Sequence, residues 1–359
     1  MSWSTIPVFI ILFGVLVVVH EFGHFFFARF FGVTVYEFAV GLGPVIWQTE
    51  RRGVLYSLRA IPFGGFAKVA GMEIALEGKA EPKPGERLFR DLPVGKKVMV
   101  LAAGSLNNLV LAMLTFIFIA AVLGLPDQLQ SERALVGFVE PKSPAWEAGL
   151  SAGDEIIELD GQKITRWEEV ARLIHHSPEQ KLKIKFRRGE ETFTREITPF
   201  YDPALKAGRI GILPAYTVKR LPLWEAIRYG VRVTAYQLFA FPVTIVKILL
   251  GQERAQFLGP IGMVGVVDQA LKSGWYLFFT MFASFNLFLG VFNLLPIPLP
   301  LLDGGWIVLY LLEHFRKKEF TPEQKANAQL IGLLLIAAFY LAVIGGDLTS
   351  VLRRLLPKS

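Results

Sequence analysis

The sequence predicts a multi-span α-helical membrane protein of about four transmembrane helices, with one water-soluble insert and a membrane-embedded β-hairpin region. Three observations carry this. Of 359 residues, 53% are hydrophobic and only 19% charged, with mean hydropathy +0.44; a soluble domain is nearer to a quarter charged. The apolar residues gather into blocks at 6–33, 98–125, 276–302 and 328–346. Residues 127–220 read instead like an ordinary soluble domain. The chain is therefore expected to divide into a membrane half (1–126), the insert (127–220) and a second membrane half (221–359).

Each block is long enough to cross a bilayer core, which takes about 20 helical residues. The first block is not a signal peptide by its pattern, with no basic segment before Ile6 and no small-residue cleavage site after the apolar run. Arg29 at its C-terminal end, the basic loop from Arg51 to Lys97, and Arg316 to Lys318 all mark cytoplasmic sides. The insert then falls outside the cell membrane. Residues 34–74 alternate β-branched and aromatic residues with Gly and Pro, which predicts short strands and hairpins rather than a helix. Backbone of that kind at membrane depth must be buried in protein or line a wet cavity. Residues 225–250 are apolar but carry Arg228, Arg232 and Lys247, which predicts an amphipathic helix at the interface rather than a further span.

The net charge of +7 and pI near 9.5 come with no nucleic-acid motif. They fit cytoplasmic loops beside anionic lipid headgroups, and no nucleic-acid partner is expected. The absence of cysteine excludes thiolate ligands and a cysteine nucleophile.

Within the insert, Leu135-Val-Gly137-Phe138, Ser143-Pro-Ala145, Ala148-Gly-Leu150, Gly153-Asp154 and Asp160-Gly161 occur in one short stretch. This combination resembles a bacterial PDZ domain. The resemblance implies an α+β, sandwich-like fold whose groove can add a peptide strand, with Gly137 and Phe138 in the loop that would hold a peptide C-terminus. A passive spacer or size filter is the alternative. His175 and His176 are adjacent on a short helix, do not share a face, and read as solvent-facing.

The chemistry lies in the first block. His20-Glu21-Phe22-Gly23-His24 is an HExxH pattern. With 5 His in 359 residues, chance gives roughly 0.004 such matches. On a helix, positions i and i+4 share a face, so the two imidazoles can take adjacent corners of a zinc site with Glu21 as general base. Ionisable residues inside an apolar span are expensive and point to function. A buried structural cluster or a proton pathway is the competing reading, and no internal repeat supports a transporter. Zinc needs a third protein ligand. Asp303 is the carboxylate candidate, following the run Asn293-Leu-Leu-Pro296-Ile-Pro298-Leu-Pro300. Its other reading is a turn residue at the interface.

Taken together, the chain resembles the site-2 proteases, in the bacterial regulator-of-sigma-E protease form with a single PDZ domain. The resemblance rests on His20, Glu21 and His24, on Gly41–Pro44 and Pro62–Gly65, on Ala102-Ala-Gly-Ser-Leu-Asn107, on Gly259–Gly262, and on Asn293 with Asp303. Three departures stand out: Ser105 where the family has Pro, two extra residues between Asn293 and Asp303, and Trp306 where His or Arg is common. The resemblance implies Zn²⁺ held by His20, His24 and Asp303, with Glu21 as catalytic base. Asn293 and Pro296 would hold substrate, and Gly64 and Gly65 would lie in the β region that receives it as a strand. The substrates implied are single-span membrane proteins already shortened outside, such as anti-sigma factors and remnant signal peptides. The location implied is the bacterial inner membrane, with the insert extracytoplasmic and the active site toward the cytoplasm. A catalytically silent scaffold that binds membrane peptides is the alternative kept open by the two extra residues.

Overall fold

The computed structural model describes residues 5–72, 85–127, 133–202, 207–215, 217–250, 252, 260–297, 302–321, 323–335 and 337. In chain order the elements begin with helix α1 (Thr5–Phe30), strands β1 (Val35–Arg51) and β2 (Val54–Val69), and helix α2 (Val94–Phe118). A π-helical turn at Ile119–Leu123 extends α2. Next come β3 (Leu125–Asp127), β4 (Val136–Val139), α3 (Pro144–Glu147), β5 (Glu155–Leu159), β6 (Gln162–Lys163) and α4 (Trp167–His175). Strands β7 (Leu182–Arg188), β8 (Glu191–Ile197), β9 (Phe200–Asp202), β10 (Ala207–Arg209), β11 (Ile212–Pro214) and β12 (Thr217–Lys219) follow. The chain continues through α5 (Leu223–Leu249), α6 (Pro260–Lys272), α7 (Trp275–Leu294) and α8 (Asp303–Arg316). It forms two compact units, residues 1–122 with 222–359, and residues 123–221.

Among the described residues of the first unit, the helices long and apolar enough to cross a membrane are α1, α2 with its π turn, α5 and α7. Three of these fall in the expected apolar blocks, and α5 does not. Helix α5 was expected to lie at the interface, yet it runs 27 residues with Arg228 and Arg232 in its first ten residues and Lys247 in its last turn. Its length and composition therefore make it a candidate span. The expected span at 328–346 is described only in part, as helix over 323–335; residues 336 and 338–346 lie outside the described residues. The expected block 276–302 stops being helical at Leu294, two residues before Pro296.

Helix α1 buries Phe9, Leu12, Leu16, His20, Gly23, His24 and Ala28. These recur every three or four residues and define one face. The opposite positions Ile11, Phe22, Phe26 and Phe30 are exposed. Gly23 allows that face to meet α2 at backbone distance, since a Cβ there would lie 2.3 Å from the Ala103 carbonyl oxygen. Amides deepen the contact: Asn107 donates to the Val19 carbonyl (3.2 Å), and Asn108 donates to that of Leu16 (3.2 Å). A buried cluster that includes Ala28, Val35, Val54, Val69, Phe89, Val100 and Trp306 ties α1, the hairpin, α2 and α8 together.

The β region is two long strands rather than the short ones expected. Residues 45–51 of β1 pair with 54–59 of β2, residues 37–40 pair with 55–58, and residues 35–40 also pair with 65–69. Two bent strands thus make a sheet four ranks wide, with 65–69 at one edge.

The second unit is built on the antiparallel sheet β6-β5-β7-β8. Leu182, Ile184 and Phe186 of β7 are buried while Lys183 is exposed, the period-2 pattern of a one-sided sheet. They pack with Ile156, Leu159, Val170 and Ile174 into the unit's own core. Helix α4 begins where the Glu169 carboxylate accepts the backbone N–H groups of Thr165 (2.8 Å) and Arg166 (3.2 Å). Those bonds, the Thr165 one first, hold its pKa below the ordinary value. Asp154 is buried and accepts from the Ser151 N–H (2.8 Å) and from Arg188 Nε and Nη2 (2.7 and 2.9 Å).

Candidate active site

His20 and His24 lie one turn apart on the buried face of α1, and Asp303 is the first residue of α8. The two Nε2 atoms are 3.2 Å apart. Asp303 Oδ2 lies 3.3 Å from His20 Nε2, and its Oδ1 lies 3.5 Å from His24 Nε2. All the ligand-capable atoms fall within 4.8 Å of one another. Nδ1 of His24 is 2.9 Å from the Val100 carbonyl oxygen. A carbonyl only accepts, so that nitrogen carries the proton and Nε2 presents its lone pair to the cluster.

This arrangement tests for a metal. Lone pairs of two imidazoles and a carboxylate directed into one small space repel one another unless a proton or a cation sits among them. Two histidines and one carboxylate form a donor set of the kind zinc takes in catalytic sites. The space is kept clear by Gly104 of α2, where a Cβ would lie 2.4 Å from His24 Nε2 and 2.9 Å from His20 Nε2. The residues fit the ion.

Asp303 is reached through two contacts that its own segment does not predict. Ser105 Oγ donates to its Oδ2 at 3.2 Å. Gly304 lets the start of α8 meet the end of α7, since a Cβ there would lie 2.1 Å from the Leu295 carbonyl oxygen. The two extra residues fall within Pro298–Leu302, of which 298–301 lie outside the described residues. Asp303 nevertheless meets both histidines, because the contact at Gly304 and the hydroxyl of Ser105 set its place. Trp306 is buried and stacks on Tyr310, with ring centroids 5.8 Å apart. It serves packing.

Glu21 stands beside the sheet edge. The backbone N–H of Ala67 donates to its Oε2 at 3.2 Å, and a Cβ on Gly65 would lie 3.9 Å from its Cγ. Gly64 has φ +89°, a left-handed conformation that favours glycine. Asn293, near the end of α7, brings its Nδ2 to 3.4 Å from His20 Nε2. Pro296 lies beyond the helix end and is exposed.

Gly137 and Phe138 lie in strand β4. On one side Val136 exchanges bonds with Asp154 and Gly153 (2.8 Å each). On the other, β4 pairs with β11, and the Ala215 N–H donates to Leu135 (2.8 Å). His175 and His176 are exposed, as expected.

Sequence reading missed Ser105 as a partner of Asp303. The available signal was a hydroxyl beside two small residues inside an apolar span. It also missed the Val100 carbonyl and the Ala67 N–H, since backbone groups leave no mark in side-chain patterns.

Candidate membrane helices carrying a His-His-carboxylate cluster, with a glutamate at its side and an open strand edge beyond, define a membrane-bound metal-dependent hydrolase. The model of Peptidase family M50 matches residues 8–339, and the chain belongs to that family, the site-2 proteases. It is 26% identical over 427 residues to "Zinc metalloprotease RasP" of Oceanobacillus iheyensis, covering 96% of this chain and 99% of that protein. It is 25% identical over 420 residues to "Regulator of sigma-W protease RasP" of Bacillus subtilis, covering 96% and 98%. The PDZ domain of an SdrC-like protein from Listeria innocua is 30% identical over 24% of this chain and 96% of that one, with a TM-score of 0.22.

Proposed function

We propose that this chain is a zinc-dependent endopeptidase that hydrolyses peptide bonds in or near the transmembrane segments of single-span proteins. The observation that carries the reading is the meeting of His20, His24 and Asp303 beside Glu21 and the edge of β2. His20, His24 and Asp303 hold the metal. When bound, Zn²⁺ polarises a substrate carbonyl and makes water acidic enough to attack near neutral pH.

The protein's own groups do the rest. Glu21 takes the proton of the attacking water and returns it to the leaving amine. A transmembrane helix hides its carbonyls in internal hydrogen bonds, so the substrate must first open into a strand. Residues 65–69 offer an edge for it, and strand addition there places a scissile bond next to Glu21. Gly64 and Gly65 shape that edge, and the Asn293 amide holds a substrate carbonyl against the site. Pro296 acts by ending α7 after Asn293.

The site belongs at membrane depth. His20 is nine residues before Arg29 in the same helix, which is about 14 Å along the axis. Arg29 and the basic loop after it favour the cytoplasmic side for that end, and hence an active site toward the cytoplasm of a bacterial inner membrane. The membrane halves are then 1–126 and 221–359, and the PDZ-type insert at 127–220 is extracytoplasmic. There it excludes proteins whose outer domain is still bulky. Peptide C-termini are the ligands the PDZ-type insert would dock, at Gly137 and Phe138. Anti-sigma factors and remnant signal peptides are the substrate classes that match a shortened single-span protein.

The test is cleavage of a single-span substrate by the reconstituted chain, with and without chelator, in parent and Glu21→Gln protein. Loss of cleavage with chelator and in Glu21→Gln is expected. Persistent cleavage in Glu21→Gln, with zinc bound, sinks the reading.

A further inference from the structure

Away from the metal cluster, three arginines converge on one cavity of about 500 Å³, lined by Phe25, Phe26, Arg29, Phe30, Arg51, Arg52 and Tyr56. Its size is that of a ligand pocket. Arg29 comes from the last turn of α1, and Arg51 and Arg52 from the β1–β2 turn. Arg52 and Gly53 both take left-handed conformations, φ 51° and 72°, the geometry of a tight hairpin turn. Arg29 Nη1 donates to the Arg52 carbonyl at 3.3 Å, which brings the turn against the helix end.

Among the described residues, no carboxylate lies within ion-pairing distance of these three guanidiniums. The contrast is the other basic cavity, about 570 Å³, where Glu313 and Glu319 stand among Lys97, Lys317 and Lys318. There the positive charge is met from within. At the arginine cavity no described carboxylate does so, which leaves three exposed guanidiniums open to an anion from outside. Planar guanidiniums in convergent array suit a phosphate.

A second feature selects the kind of phosphate. Phe22, Phe26 and Phe30 are 47, 50 and 70% exposed. They recur every four residues, so they form one stripe along α1 leading from the arginines toward the middle of a candidate span. A free anion has no use for such a stripe, whereas acyl chains do. We infer that this cavity binds one anionic phospholipid, its phosphate on Arg29, Arg51 and Arg52 and its chains along Phe22, Phe26 and Phe30. The bound headgroup clamps the β1–β2 turn to α1, the two elements that set Ala67 beside Glu21.

The experiment uses the full chain in neutral detergent, with lipid retention read by native mass spectrometry and thermal unfolding read as Tm. The probes are dioleoylphosphatidylglycerol, dioleoylphosphatidylcholine and inorganic phosphate. Phosphatidylglycerol is expected to be retained at one copy and to raise Tm saturably, with phosphatidylcholine weaker and inorganic phosphate without effect. Arg29→Gln/Arg52→Gln should weaken phosphatidylglycerol by roughly tenfold or more, and Lys317→Gln/Lys318→Gln should leave it unchanged. Because Arg29 also supports the turn, Arg51→Gln serves as the second variant and should weaken retention while keeping the lipid-free Tm. Equal affinity for the two lipids, or parental affinity in both arginine variants, overturns the site. A full Tm rise with inorganic phosphate alone overturns the lipid as its ligand.

Discussion

Two carboxylates, Asp154 in the insert and Asp303 in the membrane unit, are largely removed from water and have opposite surroundings. Asp154 accepts two bonds from the Arg188 guanidinium and one from the Ser151 N–H. Its charge is answered by a cation that the chain itself supplies. Asp303 faces the Nε2 atoms of two histidines and one hydroxyl. Its charge is answered only if something is added. The first arrangement stabilises a fold, while the second keeps an electrostatic conflict in place for a metal to resolve. Buried ionic groups thus separate by what completes them, and incompleteness marks chemistry.

The comparison can be broken most severely at Glu21. In Glu21→Gln, cleavage should fall by about 10²–10⁴-fold, with zinc content and Tm unchanged; metal analysis beside a cleavage assay checks both. Next is Asp303→Asn. Loss of a charged ligand should lower zinc retention by at least roughly 10–100-fold, read by metal analysis of the purified protein. Parental zinc content in Asp303→Asn would show that Asp303 is not a ligand.

Ser105→Ala sharpens the same contrast. Removing the hydroxyl should weaken zinc binding by about tenfold, the low end of outer-shell effects, and Ser105→Thr should restore it. Competition with a calibrated chelator gives the number. In the insert, Asp154→Asn should cost about 1–3 kcal/mol of unfolding free energy, because a guanidinium loses its partner. Arg188 is half-exposed, which keeps this below the loss for a fully buried pair. Zinc content should not change.

The smallest effect is pH dependence at α4. The Glu169 pKa is lowered by the Thr165 and Arg166 N–H groups. The unfolded chain therefore takes up the proton first, and the stabilisation present above the ordinary carboxylate pKa is lost as pH falls through the lowered one. The protection factors of the α4 amides, taken relative to the intrinsic exchange rate at each pH, should fall on acidification below the ordinary carboxylate range. Glu169→Gln should flatten that dependence.

Much of the membrane unit was legible because its signals are local. HExxH needs only one helix turn to place His20 and His24 on one face, and apolar runs report spans directly. Asp303 was legible as a donor type, being a carboxylate at the end of an apolar run in a chain without cysteine. Other features were not. Helix α5 was expected at the interface, and its length and composition also admit a span, two placements that composition alone does not separate. The pairing of β4 with a strand that begins at Ile212 was not legible either, since no local pattern announces it. The four ranks of the β1–β2 sheet escaped for the same reason, since bends let one strand pair twice.

The sequence by itself determined which atoms are available: two imidazoles four residues apart, a glutamate between them, no thiol, and enough apolar length to carry them into a membrane. These follow from composition and helix period alone. Only the tertiary structure decided that Asp303 joins residues nearly the whole chain away, that Ser105 and Gly104 of α2 set and clear its place, and that Glu21 meets a strand edge. Those outcomes depend on close backbone approach between helices and on strand pairing across long separations, which are properties of packed surfaces rather than of any local run of residues.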